Sequence, residues 1–135
     1  MPAHHFSART PFDRNRTLWC GWVFRSGSRC VYFAGDSAYS PHFKEIGSRF
    51  GPVDLAMIPI GAYNPRWVMQ SVHVNPAEAV QAHGDVRARQ SVACHWGTFR
   101  LTDESLGEPP VFLPAWAMLR VPRKCWRASG LSHSQ

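Results

Sequence analysis

The chain has 135 residues, 44% of them hydrophobic and 18% charged, with a formal net charge of +6. That is enough for one domain with a real core, and too apolar for a disordered chain. No apolar run approaches the ~20 residues that span a bilayer, and Met1-Pro2-Ala3-His4-His5 lacks the basic and apolar regions of a secretion signal, so the composition reads as cytoplasmic or as a piece of something larger.

Residues 18–24 are apolar and aromatic with strand propensity. The cluster Arg25-Ser26-Gly27-Ser28-Arg29 follows, and then a second apolar run from Cys30 to Ala34, so the spacing predicts a β-hairpin with a five-residue loop. A helix is expected next: Ser40 as N-cap, Pro41 at the first position, and Phe43, Ile46 and Phe50 on one face. Gly51 suits a left-handed position after it and Pro52 stops it, while Gly47 weakens its middle. Residues 53–58 read as a strand. Residues 60–74 form a long loop, a length that usually signals function. Asn75-Pro76-Ala77-Glu78 opens a second helix ending near Gly84, with cap, proline and glutamate in register. The last strand covers Ser91 to Cys94.

Alternation of this kind predicts an α/β fold with parallel strands and crossover helices. In such a sheet the chain leaves its strands at one edge, where Asp36, the 60–74 loop and His95 are expected to converge. The domain is expected over residues 1–110. Residues 111–135 read as an irregular basic tail with one possible short helix from Ala115 to Val121. Residues 1–108 hold eleven Lys/Arg against nine Asp/Glu, whereas 109–135 hold four basic residues and no acid. A basicity concentrated in a tail argues against nucleic acid as a partner, because such a footprint lines one face of a fold. The four cysteines form no C-x-x-C pair and read as buried thiols.

Each candidate residue has an ordinary alternative. An Asp after a strand often caps a turn, His95 suits a rim position, and His5 beside His4 suits an idle terminus. His73 suits a loop without a task, and His42, His83 and His133 read as structural or surface residues. Together, carboxylate and imidazole suit zinc and related ions.

The ordered segments Phe33-Ala34-Gly35-Asp36-Ser37-Ala38-Tyr39, Phe50-Gly51-Pro52-Val53-Asp54-Leu55, Ile58-Pro59-Ile60-Gly61-Ala62-Tyr63, Pro65-Arg66-Trp67, His73-Val74-Asn75-Pro76-Ala77-Glu78-Ala79 and His95-Trp96-Gly97-Thr98-Phe99 carry a resemblance. With Pro2-Ala3-His4-His5-Phe6-Ser7-Ala8-Arg9, they make residues 2–110 similar to the metallo-β-lactamase superfamily, in its branch of N-acyl-phosphatidylethanolamine-hydrolysing phospholipase D and bacterial relatives. The resemblance implies the C-terminal half of an αβ/βα sandwich, a mixed sheet with helices on one face. It implies two zinc ions in the complete site, with His5 on the first, His95 on the second and Asp36 bridging them, hence both metal-ligating and catalytic. It implies that His73 is a catalytic and substrate-binding residue near phosphate. The family's H-x-H-x-D-H motif is absent, so the zinc site is expected to be partial or absent and the chain inactive alone.

The implied function is a phosphodiesterase-type hydrolase of N-acylated phospholipid, with peripheral membrane contact. Another ester or a lactone remains open as substrate. The alternative is a non-catalytic fragment that binds a partner or a membrane surface through its aromatic and basic tail. A halved sandwich is also expected to self-associate through exposed sheet.

Overall fold

The computed structural model describes residues 10–13, 16 and 20–113. Four strands form one sheet in the order β1 (Trp22–Ser26), β2 (Arg29–Phe33), β3 (Val53–Pro59), β4 (Ala88–Cys94). The β1–β2 pair is antiparallel; β2–β3 and β3–β4 are parallel. Helix α1 (His42–Phe50) connects β2 to β3. A helical turn, α2 (Arg66–Met69), and helix α3 (Pro76–Asp85) connect β3 to β4. This is the mixed sheet with helices on one face that the resemblance implies.

Alternation along the strands sorts the residues into two layers. Tyr32, Ala56 and Ile58 face the helices and are buried with Phe43 and Ile46 of α1, Ala79 and Ala82 of α3, and Val74 and Val86. Burying a side chain such as Phe43 contributes about 1.5–3 kcal/mol, so this layer holds the helices to the sheet. The opposite face carries Trp22, Phe24, Val31, Phe33, Leu55, Met57 and Val92 in neighbouring register. It is only partly covered: Trp22 is 57% and Phe24 56% exposed, their rings stacked at 6.4 Å.

Several local expectations are corrected. Residues 18 and 19 of the first expected strand lie outside the described residues, and β1 instead runs on to Ser26, leaving a tight turn at Gly27 and Ser28. Ser40 does not cap α1. Pro41 occupies the cap position in helical conformation without a side-chain cap, and the Ser40 hydroxyl pairs with the His42 ring. Gly51 is extended (φ −73°, ψ 162°) rather than left-handed, because the chain passes directly into β3. Gly47 is a packing requirement: a Cβ there would lie 1.9 Å from the Asp85 carbonyl oxygen, so its lack of side chain lets α1 approach the end of α3. The 60–74 loop contains the turn of α2, and β4 starts three residues earlier than expected, at Ala88. The α3 start follows expectation, with a reciprocal capping box between Asn75 and Glu78. A 3-10 turn, Pro109–Phe112, crosses the expected domain boundary; the rest of the basic tail, with its possible helix from Ala115, lies outside the described residues. None of the described helices is long and apolar enough to cross a membrane.

Candidate metal centre

The centre forms where the parallel strands end. After β2, Ala34 extends the ladder by donating to the Met57 carbonyl (3.0 Å), and Gly35 (φ +71°) turns the chain so that Asp36 emerges at the carboxyl edge. After β4, His95 takes a left-handed conformation (φ +58°) that is costly for a residue with a Cβ. Ile60 donates to the Cys94 carbonyl (3.1 Å), keeping the ends of β3 and β4 side by side. Val74 donates to the Ser37 carbonyl (3.0 Å), which joins the loop of His73 to the loop of Asp36.

These backbone bonds bring three donors together. His73 Nδ1 lies 2.9 Å from Asp36 Oδ1 and His95 Nε2 lies 3.8 Å from Asp36 Oδ2. The two imidazole rings are 5.3 Å apart. One donor atom from each of the three residues falls within 4.8 Å of the others. Two imidazoles and a carboxylate suit zinc or a related ion. The donor set therefore fits a metal. His73 lies nearer to Asp36 than His95 does, so distance does not separate a ligand from a substrate-side histidine. His5 lies outside the described residues.

The loop that carries His73 is held from behind. Arg66 donates to the His73 carbonyl (Nη1, 3.0 Å) and to Glu78 (Nη2 to Oε1, 2.7 Å), while the other Glu78 oxygen accepts from the Asn75 N–H (3.1 Å). Both partners of the Arg66–Glu78 pair are mostly buried, at 27% and 20% side-chain exposure, where a charge-assisted contact keeps more of its strength than on an open surface. Sequence reasoning placed Arg66 and Glu78 in the resemblance without giving either this role.

A second loop, residues 95–109, folds against 61–64. A Cβ on Gly61 would lie 2.4 Å from the His95 carbonyl oxygen, so only glycine allows this approach. Glu104 is buried and accepts from the N–H groups of Tyr63 (3.1 Å) and Asn64 (3.0 Å). Burial alone would raise its pKa. The hydroxyl of Thr102, its own backbone N–H and those of Asn64 and Tyr63 outweigh burial and hold the carboxyl below its ordinary value. The Tyr63 hydroxyl donates to Glu108 (2.8 Å), and its pKa is pushed up by burial first and by that contact second. No periodicity or motif in the sequence marks Glu104. Burial pushes the pKa of the Cys94 thiol up to about 12.

Comparison with known proteins gives the family. A family model described as "Beta-lactamase superfamily domain" matches residues 1–96. The chain belongs to the beta-lactamase superfamily. Among superfamily relatives, an N-acyl-phosphatidylethanolamine-hydrolyzing phospholipase D 1 of Caenorhabditis elegans is 50% identical over 111 residues, covering 81% of this chain and 31% of the relative. The outer membrane protein RomA of Klebsiella pneumoniae is 45% identical over 97 residues, covering 72% of this chain and 71% of that one. A UPF0173 metal-dependent hydrolase of Thermococcus onnurineus is 27% identical over 99 residues, covering 73% of this chain and 40% of the relative. The chain thus spans about a third of the length of the phospholipase relative.

Proposed function

We propose that this chain carries part of the active site of a metal-dependent phosphodiesterase whose substrate is an N-acylated phospholipid or a similar diester. The observation that carries the reading is the Asp36 carboxylate set between His73 and His95 at the carboxyl edge of the parallel strands. The names borne by the relatives support the hydrolase class. In this reading Asp36 and His95 hold metal, with His5 as a further ligand and Asp36 shared between two zinc ions. A bound zinc would make water nucleophilic at neutral pH and polarise a phosphoryl oxygen.

His73 orients the phosphate and moves a proton to or from it. Its ring is set by the Asp36 oxygen on one side, and its loop is held by Arg66. Gly35 and the left-handed turn at His95 fix where the two ligands leave the sheet. Three donors among the described residues fall short of two complete metal sites, since a catalytic zinc ordinarily takes three protein ligands. The proposal therefore includes weak metal binding and little or no turnover by the chain alone.

Zinc titration by calorimetry, with metal content by mass spectrometry, tests the centre. Zinc binding that Asp36→Asn and His95→Ala each weaken at least tenfold is expected; binding unchanged in both variants would overturn the proposal. Release of phosphatidic acid from N-acyl-phosphatidylethanolamine, assayed with the chain joined to the remainder of a relative, tests the substrate. A second reading, a binding module that self-associates or meets a partner, is favoured by the half-covered apolar face around Trp22 and Phe24.

A further inference from the structure

A row of polar side chains crosses all four strands at the end of the sheet opposite the metal centre. On the helix-bearing face, Arg25 of β1 stands across from Cys30 of β2. Asp54 of β3 comes next, its Oδ2 accepting from the Cys30 N–H (2.9 Å). Arg89 of β4 donates to Asp54 Oδ1 (3.3 Å), and the register sets them side by side, since Val53 pairs with Ala88 and Leu55 with Gln90. Arg29, the first residue of β2, lies 3.9 Å from the same Asp54 oxygen. The three guanidiniums line a cavity of about 330 Å³, closed on one side by Phe50, Gly51 and Pro52 where α1 ends. Asp54 stands near the start of β3, so the rest of that strand, ~17 Å, separates the row from the metal edge.

The charges in this cavity do not balance. Three arginines face one carboxylate, an excess of two positive charges among the lining residues. Arg25 is held in place: its Nη2 donates to the Phe50 carbonyl (2.8 Å) and its guanidinium carbon lies 5.6 Å from the centroid of the Phe50 ring. A carbonyl orients a cation without neutralising it. The Arg29 contact is longer than a hydrogen bond, and the side chains of Arg29 and Arg89 are 79% and 67% exposed. Each guanidinium carries five N–H donors in a planar fork that matches the oxygens of a phosphate. We propose that this cavity binds a phosphomonoester dianion, with Arg25, Arg29 and Arg89 as its donors. A dianion cancels the excess charge, whereas a carboxylate or a phosphodiester cancels half of it. The cavity falls within the ~300–1,000 Å³ of small-molecule pockets, so a small organic phosphate fits, its carbon part resting on Phe50 and Pro52. The proposal makes no use of the metal centre.

Glycerol 3-phosphate is the probe and dimethyl phosphate the monoanionic control, with amide NMR shifts of the full chain at low salt as the readout. Glycerol 3-phosphate is expected to move the amide signals of Gly27, Ser28 and Gly51 in a saturable way, and to bind several-fold more tightly than dimethyl phosphate. Arg29→Gln and Arg89→Gln, both at exposed positions, are each expected to weaken binding about tenfold. Arg29→Lys, which keeps the charge and loses the fork, is expected to weaken it less. Shifts confined to residues around Asp36 and His95, equal affinity for the diester, or affinity unchanged in both glutamine variants would overturn the proposal. Sedimentation with phosphatidylcholine vesicles, with and without phosphatidic acid, separates the two sources of such a phosphate. Co-sedimentation that needs phosphatidic acid, is displaced by glycerol 3-phosphate and is lost in the glutamine variants assigns a lipid headgroup. Binding of glycerol 3-phosphate without co-sedimentation assigns a soluble phosphate. Either result keeps the site.

Discussion

Replacing Glu104 by glutamine tests how the 95–109 loop is held, because it keeps the shape and removes the charge. In the native chain each carboxylate oxygen takes one backbone N–H, from Tyr63 at 3.1 Å and Asn64 at 3.0 Å, and the residue is 7% exposed. Glutamine offers one acceptor oxygen and turns an amide NH2 toward the other N–H. A hydrogen bond to a charged group is worth ~1.5–3 kcal/mol, and a stranded buried donor costs ~1–3 kcal/mol. The lower ends apply beside the open cleft that Glu104 lines, giving about 2.5 kcal/mol. At roughly 3–5 °C per kcal/mol for a chain of this size, the melting temperature falls by about 10 °C. Urea and thermal unfolding followed by tryptophan fluorescence measure both quantities. Because the folded-state carboxyl lies below its ordinary value, its contribution is full above the unfolded pKa of ~4.3 and is lost as pH falls through the folded one. The gap between native and Glu104→Gln chains therefore closes in acid. A variant within about 0.5 kcal/mol of the native chain at pH 7, or a gap that widens on acidification, refutes the reasoning.

Gly47→Ala should destabilise the fold although alanine is the better helix former by ~1 kcal/mol; the new Cβ meets the Asp85 carbonyl oxygen at 1.9 Å, and overpacking of this kind costs ~1–3 kcal/mol. A raised melting temperature would contradict the packing of α1 on α3. Sedimentation velocity should show concentration-dependent association that the paired change Trp22→Ser and Phe24→Ser abolishes, since these rings are the most exposed part of the apolar face. A monomer at high concentration in the native chain would count against that surface as an interface.

The parts of the molecule legible in the sequence are those governed by local chemistry. Asn75, Pro76 and Glu78 announce α3 because a capping box is written within four residues. The convergence of Asp36, His73 and His95 could be foreseen from strand order, because parallel strands deliver their carboxyl ends to one edge. The role of Gly47 could not: it depends on Asp85, 38 positions away along the chain, and the same glycine read locally is only a weak helix former. Glu104 was equally hidden, since its partners are backbone N–H groups that any residues but proline at 63 and 64 would supply. The left-handed turn at His95 and the extended Gly51 reversed a local preference, because the register of β3 and β4 dictates how the chain must enter and leave them.

Glu78 meets two demands of unequal strictness. As the third residue of α3 it returns a bond to the Asn75 N–H, a task that glutamine performs as well. As the anchor of Arg66, which holds the His73 carbonyl, it needs its negative charge. An exchange of Glu78 for glutamine would therefore be accepted by the helix and registered by the histidine loop. Drift at this position is limited by the needs of the site, well before the needs of folding are reached.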